Sequence, residues 1–261
     1  TATLLFTREV DNLILFGKLD HQFNQSNTGT FRVNFTDYER LSGRRDEESQ
    51  KIEDTLSFVG QVVSVIGSNK VNEFRAQRLT DNLDRLSLRV GEPIEAEIRF
   101  RGRDGAGFDS VGKFDFLPIF VEEEKTQIQN NFSYLFGEHD LKFGIDYQAD
   151  DLAQLFAGSL DGRYDFSNVE DFLNDNASAA RIWFGDTTFP NYDEEQVITS
   201  LYAQDTWRPN DNLTLSYGFR YSETDNPDGL MHVFPAAREI PDDEHIAPRF
   251  GFTYTPGDSG K

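Results

Sequence analysis

Residues 213–221, LTLSYGFRY, put Leu213, Leu215, Tyr217, Phe219 and Tyr221 at one parity and Thr214, Ser216, Gly218 and Arg220 at the other. A period of two is that of a β-strand with one apolar and one polar face. The same alternation sets Leu141, Phe143, Ile145 and Tyr147 against Lys142, Gly144 and Asp146, and sets Phe250, Phe252 and Tyr254 against Arg249, Gly251 and Thr253. It recurs in 31–36, FRVNFT. In 131–147, NFSYLFGEHDLKFGIDY, two such segments flank a polar turn, so Phe132, Tyr134 and Phe136 lead into a hairpin. With weaker segments added, about ten strands are expected, near 3–9, 12–23, 30–40, 54–66, 71–80, 120–136, 140–155, 195–208, 213–224 and 246–256. Several exceed the usual soluble strand of about five to six residues. At a tilt near 40°, about ten residues rise roughly 25 Å, enough to cross a bilayer.

The connections discriminate between solvents. Short polar turns at 24–29, 67–70, 137–139 and 208–212 alternate with long segments at 41–53, 81–119, 156–194 and 225–245. Tight turns at one end and long loops at the other are the pattern of an antiparallel up-and-down transmembrane β-barrel. A Greek-key sandwich has no reason to put its long connections at one end. The apolar residues of the hairpin could fill a sandwich core, but the loop asymmetry points to lipid. The expected lipid-facing set is therefore Phe132, Tyr134, Phe136, Leu141, Phe143, Ile145, Tyr147, Leu213, Leu215, Tyr217, Phe219, Tyr221, Phe250, Phe252 and Tyr254. Within 156–194, Ser167 and Glu170 form a capping box that opens a short helix to about Asp175.

Composition narrows this further. The chain has 261 residues, 37% hydrophobic and 27% charged, and its apolar runs are too short for a helical span of roughly 20 residues. The 24 Phe and 9 Tyr against a single Met suit strands. With 46 acidic and 25 basic residues, a net charge of −21 and no basic stripe, nucleic acid is excluded as an expected partner. The absence of Cys removes thiolate chemistry and Cys-based zinc sites, and is compatible with an oxidising compartment.

Catalytic constellations are not visible, so an enzyme, a cofactor and a metal centre are not expected. The 4 histidines, His21, His139, His232 and His245, lie far apart with no metal-type spacing. GRDGAG at 102–107 lacks the GxGxxG spacing of a phosphate loop. Acidic clusters at Asp46–Glu48, Glu122–Glu124, Asp193–Glu195 and Asp242–Glu244 fall in or beside the long loops and concentrate charge at one rim. They read as a solvated rim or a cation attractor, without a calcium-loop pattern. The Asn-x-Ser/Thr sites at Asn34, Asn131, Asn176 and Asn212 arise easily in a chain rich in Asn.

Residues 200–221, SLYAQDTWRPNDNLTLSYGFRY, and 246–256, IAPRFGFTYTP, resemble the barrel of TonB-dependent outer-membrane receptors. The matching positions are Tyr202, Gln204, Asp205, Trp207, Pro209, Leu213, Gly218, Arg220, Tyr221, Pro248, Arg249 and Phe250. The segments 139–148 and 162–173 extend the likeness, toward the Oar-like branch, with 12–40 a fainter echo. The resemblance implies a plugged barrel of roughly 22 strands. It also implies lipid of the bacterial outer membrane around the wall, an unidentified scarce ligand, and TonB as energy donor through an N-terminal plug. Residues 1–261 would be a part of that barrel without the plug. A passive porin-like barrel and a soluble β-rich binding or adhesive domain are the alternatives.

Overall fold

The computed structural model describes residues 8–44, 47–88, 96–101, 108–156, 158–183, 192–227 and 241–257. Thirteen strands and one short helix follow in order. They are β1 (Val10–Asn24), β2 (Asn27–Arg44), β3 (Glu47–Ile66), β4 (Lys70–Ser87), β5 (Glu97–Arg101), β6 (Phe108–Val111) and β7 (Ile119–Phe136). They continue with β8 (His139–Phe156), β9 (Arg163–Phe166), α1 (Val169–Leu173), β10 (Ala179–Arg181), β11 (Tyr192–Asn210), β12 (Leu213–Asp225) and β13 (Asp243–Tyr254).

The long strands form one 9-stranded sheet in the order β1-β2-β3-β4-β7-β8-β11-β12-β13, with every pair antiparallel. Sequence neighbours are spatial neighbours, apart from two detours that leave the sheet and return beside the strand they left. The expected strands from 12–23 to 246–256 all appear, and the segment 3–9 lies almost wholly outside the described residues.

Local chemistry sets the tight turns. The Asn24 carboxamide accepts from the Ser26 N–H at 2.9 Å, and Asn210 does the same for Asn212 at 3.0 Å, in the side-chain-closed turns typical of Asn. Gly67 and Gly137 turn at φ of 66° and 59°, where a side chain is disfavoured. All four turns lie at one end of the sheet. The segment 41–53, expected as a long loop, is instead strand: β2 and β3 stay paired from Leu41↔Gln50 to Arg44↔Glu47. Its sequence, LSGRRDEESQKIE, has too few apolar residues to show the alternation that reveals a strand. Backbone pairing alone carries it.

The detours 88–118 and 157–183 meet in a second sheet of 4 strands, ordered β10-β9-β5-β6, with β5 and β9 parallel. This rim sheet stands at the end opposite the tight turns. It is where the apolar core sits: Leu117 and Phe166 are buried, and Phe100, Phe166 and Phe172 meet edge to face or stacked at 5.2–6.2 Å. Helix α1 starts one residue later than expected. Asn168, extended at φ −164°, is the cap and accepts from the Asp171 N–H at 2.8 Å, in place of Ser167 and Glu170.

The 9-stranded sheet has no such core. Among the described residues the only other buried hydrophobic is Ala149. The chain exposes 17716 Å² at 29.8 kDa, where a compact soluble monomer exposes about 12,000 Å². Among the described residues, no dry layer lies between this sheet and another.

Candidate functional site

Register decides which side chains share a face, because directly paired residues of an antiparallel ladder point the same way. One cross-strand row runs Lys70–Tyr134–Leu141–Asp205–Tyr217–Phe250, and the next runs Phe136–His139–Trp207–Leu215–Phe252. Phe132 pairs with Phe143, Leu201 joins Ile145 to Tyr221, and Leu213 pairs with Tyr254. Every residue of the expected lipid-facing set thus lies on one face. Phe74, Phe58, Val33 and Leu15 continue it across β4, β3, β2 and β1. These are well exposed for aromatic and aliphatic residues, with Phe250 at 73% and Phe219 at 52%.

The apolar residues of this face are densest in the half of each strand next to the tight turns. Further along β7 the same face carries Thr126, Glu124 and Glu122, opposed by Ala149, Asp151 and Ala153 of β8. Asp37 meets Asp54, and Glu223 meets Glu244, at the same end. The expected acidic clusters thus gather at one rim, although they sit on paired strands. Asp46 lies outside the described residues.

Near the turn end, the band contains one polar knot. The Tyr217 hydroxyl donates to Asp205 Oδ2 at 2.6 Å, and His139 Nδ1 lies 2.6 Å from the same oxygen. The His139 ring stacks on Trp207 at 5.5 Å. An aromatic row with hydrogen-bonding tips is what a lipid–water boundary favours.

The opposite face is predominantly polar along β8, β11, β12 and β13. Gln127 donates to Asp146 at 3.0 Å, Lys125 sits 3.4 Å from Asp150, and the Tyr202 hydroxyl crosses β8 to reach Asn131 at 2.7 Å. Tyr202 lies flat over Gly144, where a Cβ would come within 2.6 Å of its ring. Apolar residues occur on this face too, among them Ile14 and Phe16 on edge strand β1, Val65 on β3, Val71 on β4 and Leu135 on β7. A hollow of about 420 Å³ opens over β11, β12 and β13; Tyr202, Gln204, Thr206, Ser216, Gly218, Arg220, Arg249 and Gly251 line it from the polar face, and Ala203, Asp205, Tyr217, Phe219 and Phe250 also border it.

The rim sheet holds a buried charge cluster that spacing in the sequence does not reveal. Arg99 donates to Glu97 at 2.7 Å and to Asp115 at 3.1 Å, and Arg163 donates to Asp115 at 3.2 Å. The Ser159 hydroxyl donates to Asp115 at 2.8 Å, and the Asp115 N–H donates to Glu97 at 3.2 Å. Burial pushes the Glu97 carboxyl above its ordinary value, with Asp115 adding to the rise and Arg99 opposing it. Burial also works to raise Asp115. Hydrogen bonds from Glu97 and Ser159, with the charges of Arg99 and Arg163, outweigh it and hold Asp115 below the ordinary range. Among the described residues, no group of three or more His, Asp or Glu is placed to hold a metal ion. GRDGAG and His232 lie outside the described residues.

The polar-face residues Arg220, Gly218, Arg249 and Gly251 were visible in the alternation, but nothing in the spacing showed that they share a hollow. Glu97, Asp115 and Arg163 gave no sequence signal, since they meet only through the parallel pairing of two loops.

Comparison with known proteins matches residues 9–261 to a family described as outer membrane beta barrel domain. No curated protein matches significantly in sequence. Among solved structures, the outer membrane transporter YddB from Escherichia coli superposes with a TM-score of 0.61 at 12% identity, covering 93% of this chain and 29% of that one. FpvA of P. aeruginosa, bound to heterologous pyoverdines, gives 0.59 at 12% identity over 96% of this chain and 34% of that one. The copper transporter OprC gives 0.56 at 11% identity over 96% and 34%. The chain therefore spans about a third of the length of these structures.

Proposed function

The chain belongs to the outer membrane beta barrel domain family, and from that premise we propose that it is a section of the wall of a TonB-dependent receptor that imports a scarce ligand. It resides in the bacterial outer membrane. The apolar face, from Phe132 and Tyr134 round to Phe252 and Tyr254, meets acyl chains, and the polar face lines a wet interior. At this identity the solved structures speak for the fold; the class rests on the combination of that fold with the receptor-like stretches 200–221 and 246–256. Residues 162–173 favour the Oar-like branch within the class.

One observation carries the reading. The strands follow one another in chain order round a single antiparallel wall, with the tight turns at one end and the long detours at the other. That arrangement suits a wall whose external loops capture a solute and whose interior passes it on. The acidic rim and the rim sheet would stand at the outer mouth, TonB would act through a plug encoded elsewhere in the gene product, and no chemistry is performed on the ligand.

Planar bilayers test this with the purified full-length gene product. A plugged receptor gives little steady conductance, and co-purification with the periplasmic part of TonB succeeds. Large, persistent conductance steps with no TonB capture would move the protein to the passive porin class.

A further inference from the structure

We infer that the hollow over β11, β12 and β13 is an anion-binding subsite of the barrel interior, one that takes the carboxylate or phosphate group of a small solute. The inference rests on the reading that the polar face lines the lumen.

Pairing lays the hollow out as three rows: Tyr202–Arg220–Ala247, Gln204–Gly218–Arg249 and Thr206–Ser216–Gly251. The floor is bare backbone, because Gly218 and Gly251 carry no side chain and Ser216 a short one. At Gly218 this is forced: a Cβ would sit 2.6 Å from the Ala203 carbonyl oxygen. At Gly251 it is not, since a Cβ there meets nothing within 4 Å. A space of about 420 Å³ is left open above it.

The walls are donors. Arg220 and Arg249 stand diagonally across adjacent strands, about 7–8 Å apart at Cα, a separation that two guanidinium forks can close on one oxyanion. The Gln204 amide and the Thr206 and Ser216 hydroxyls complete the ring. Arg220 is only loosely committed, with Asp146 at 3.9 Å and Ser222 at 3.3 Å. Arg249 is exposed and pairs with no acid among the described residues. The sole carboxylate along the hollow's edge, Asp205, points its side chain to the opposite face, where Tyr217 and His139 hold it. In a chain with 46 acidic residues, a concavity whose charged groups are both arginines selects for anions. Arginine rather than lysine fits bidentate capture of a planar or tetrahedral oxyanion.

Two measurements on the full-length gene product test the subsite. Calorimetric titration with citrate and with inorganic phosphate should show saturable binding of at least one. Arg249→Gln should weaken it about tenfold or more. Gly251→Trp should abolish it by filling the hollow without backbone strain, while Lys125→Gln, on the same face nearer the rim, should leave it intact. Residues 1–261 contain 0 Cys, so Gly251→Cys adds a thiol that a membrane-impermeant maleimide should label in folded, heat-modifiable protein above the level of the unsubstituted protein. Failure of that labelling overturns the lumenal wall itself. Labelling without anion binding, or binding that survives both Arg249→Gln and Gly251→Trp, overturns the subsite and leaves the wall standing.

Discussion

The wall and the rim sheet are built from the same chain by opposite rules. In the wall, strands of 12 to 20 residues carry Phe, Tyr and Leu on an exposed face. In the rim sheet, strands of 3 to 5 residues fold inward around Leu117, Phe166 and the Phe100–Phe166–Phe172 rings. Short strands in water need a core, because an isolated small sheet is marginal. Long strands in hydrocarbon need no core but must satisfy every backbone group through the ladder. The difference lies in the solvent outside each sheet.

The largest expected effect breaks the rim sheet without touching the wall. Asp115→Asn removes the carboxylate on which Arg99, Arg163 and Ser159 converge, at a cost of about 3 kcal/mol for the arginines left partly unpaired. Amide exchange in β5 and β9 should accelerate about a hundredfold, with wall amides unchanged. The pH dependence carries two signs. Glu97, raised in the folded state, contributes stability at low pH that is lost as pH rises through its folded value. Asp115, lowered, contributes stability at neutral pH that is lost as pH falls through its folded value. Rim-sheet protection should therefore pass through a maximum on acidification. Glu97→Gln should remove the rising limb, and Asp115→Asn the falling one.

Next in size is a paired test of the wall. Ile145→Arg places a charge in the middle of the apolar face and should cost about 2–4 kcal/mol in folding into bilayers. Gln148→Arg, three residues along the same strand and on the polar face, should cost almost nothing. Equal costs at the two positions would sink the assignment of the faces to lipid and water. A third and smaller effect is Asn168→Ala, which removes the α1 cap and should loosen the helix by about 1 kcal/mol, read as faster exchange at Asp171.

What could be read from the sequence follows from the same contrast. A strand facing two different solvents shows an alternation, so the sequence alone assigns Leu213 to Tyr221 and Phe250 to Tyr254 to one face. A strand made almost wholly of polar residues shows none, and LSGRRDEESQKIE at 41–53 therefore reads as loop in the sequence. The rim sheet was illegible for another reason. Glu97 and Arg163 are 66 positions apart in the numbering and meet because two loops pair in parallel, and that pairing leaves no local period.

The upper edge of the apolar band is the finest point in the comparison, and Arg78 probes it. Arg78 lies on the apolar face, paired in register with Phe58 on one side and Thr126 on the other. Its guanidinium bonds Thr126 at 2.5 Å and forms an ion pair with Glu124. Both charged side chains are nearly half exposed, at 46% and 49%. If the hydrocarbon ends below Arg78, the pair is a solvated one, and Arg78→Gln should cost about 0.2–1 kcal/mol and lose that small effect in high salt. If the hydrocarbon reaches Arg78, the substitution leaves Glu124 uncompensated in lipid, the cost rises to several kcal/mol, and salt no longer matters. Folding into vesicles of increasing chain length separates the two. A bilayer thick enough to engulf Arg78 should convert the first behaviour into the second, and that thickness fixes how far up each strand the lipid rules extend.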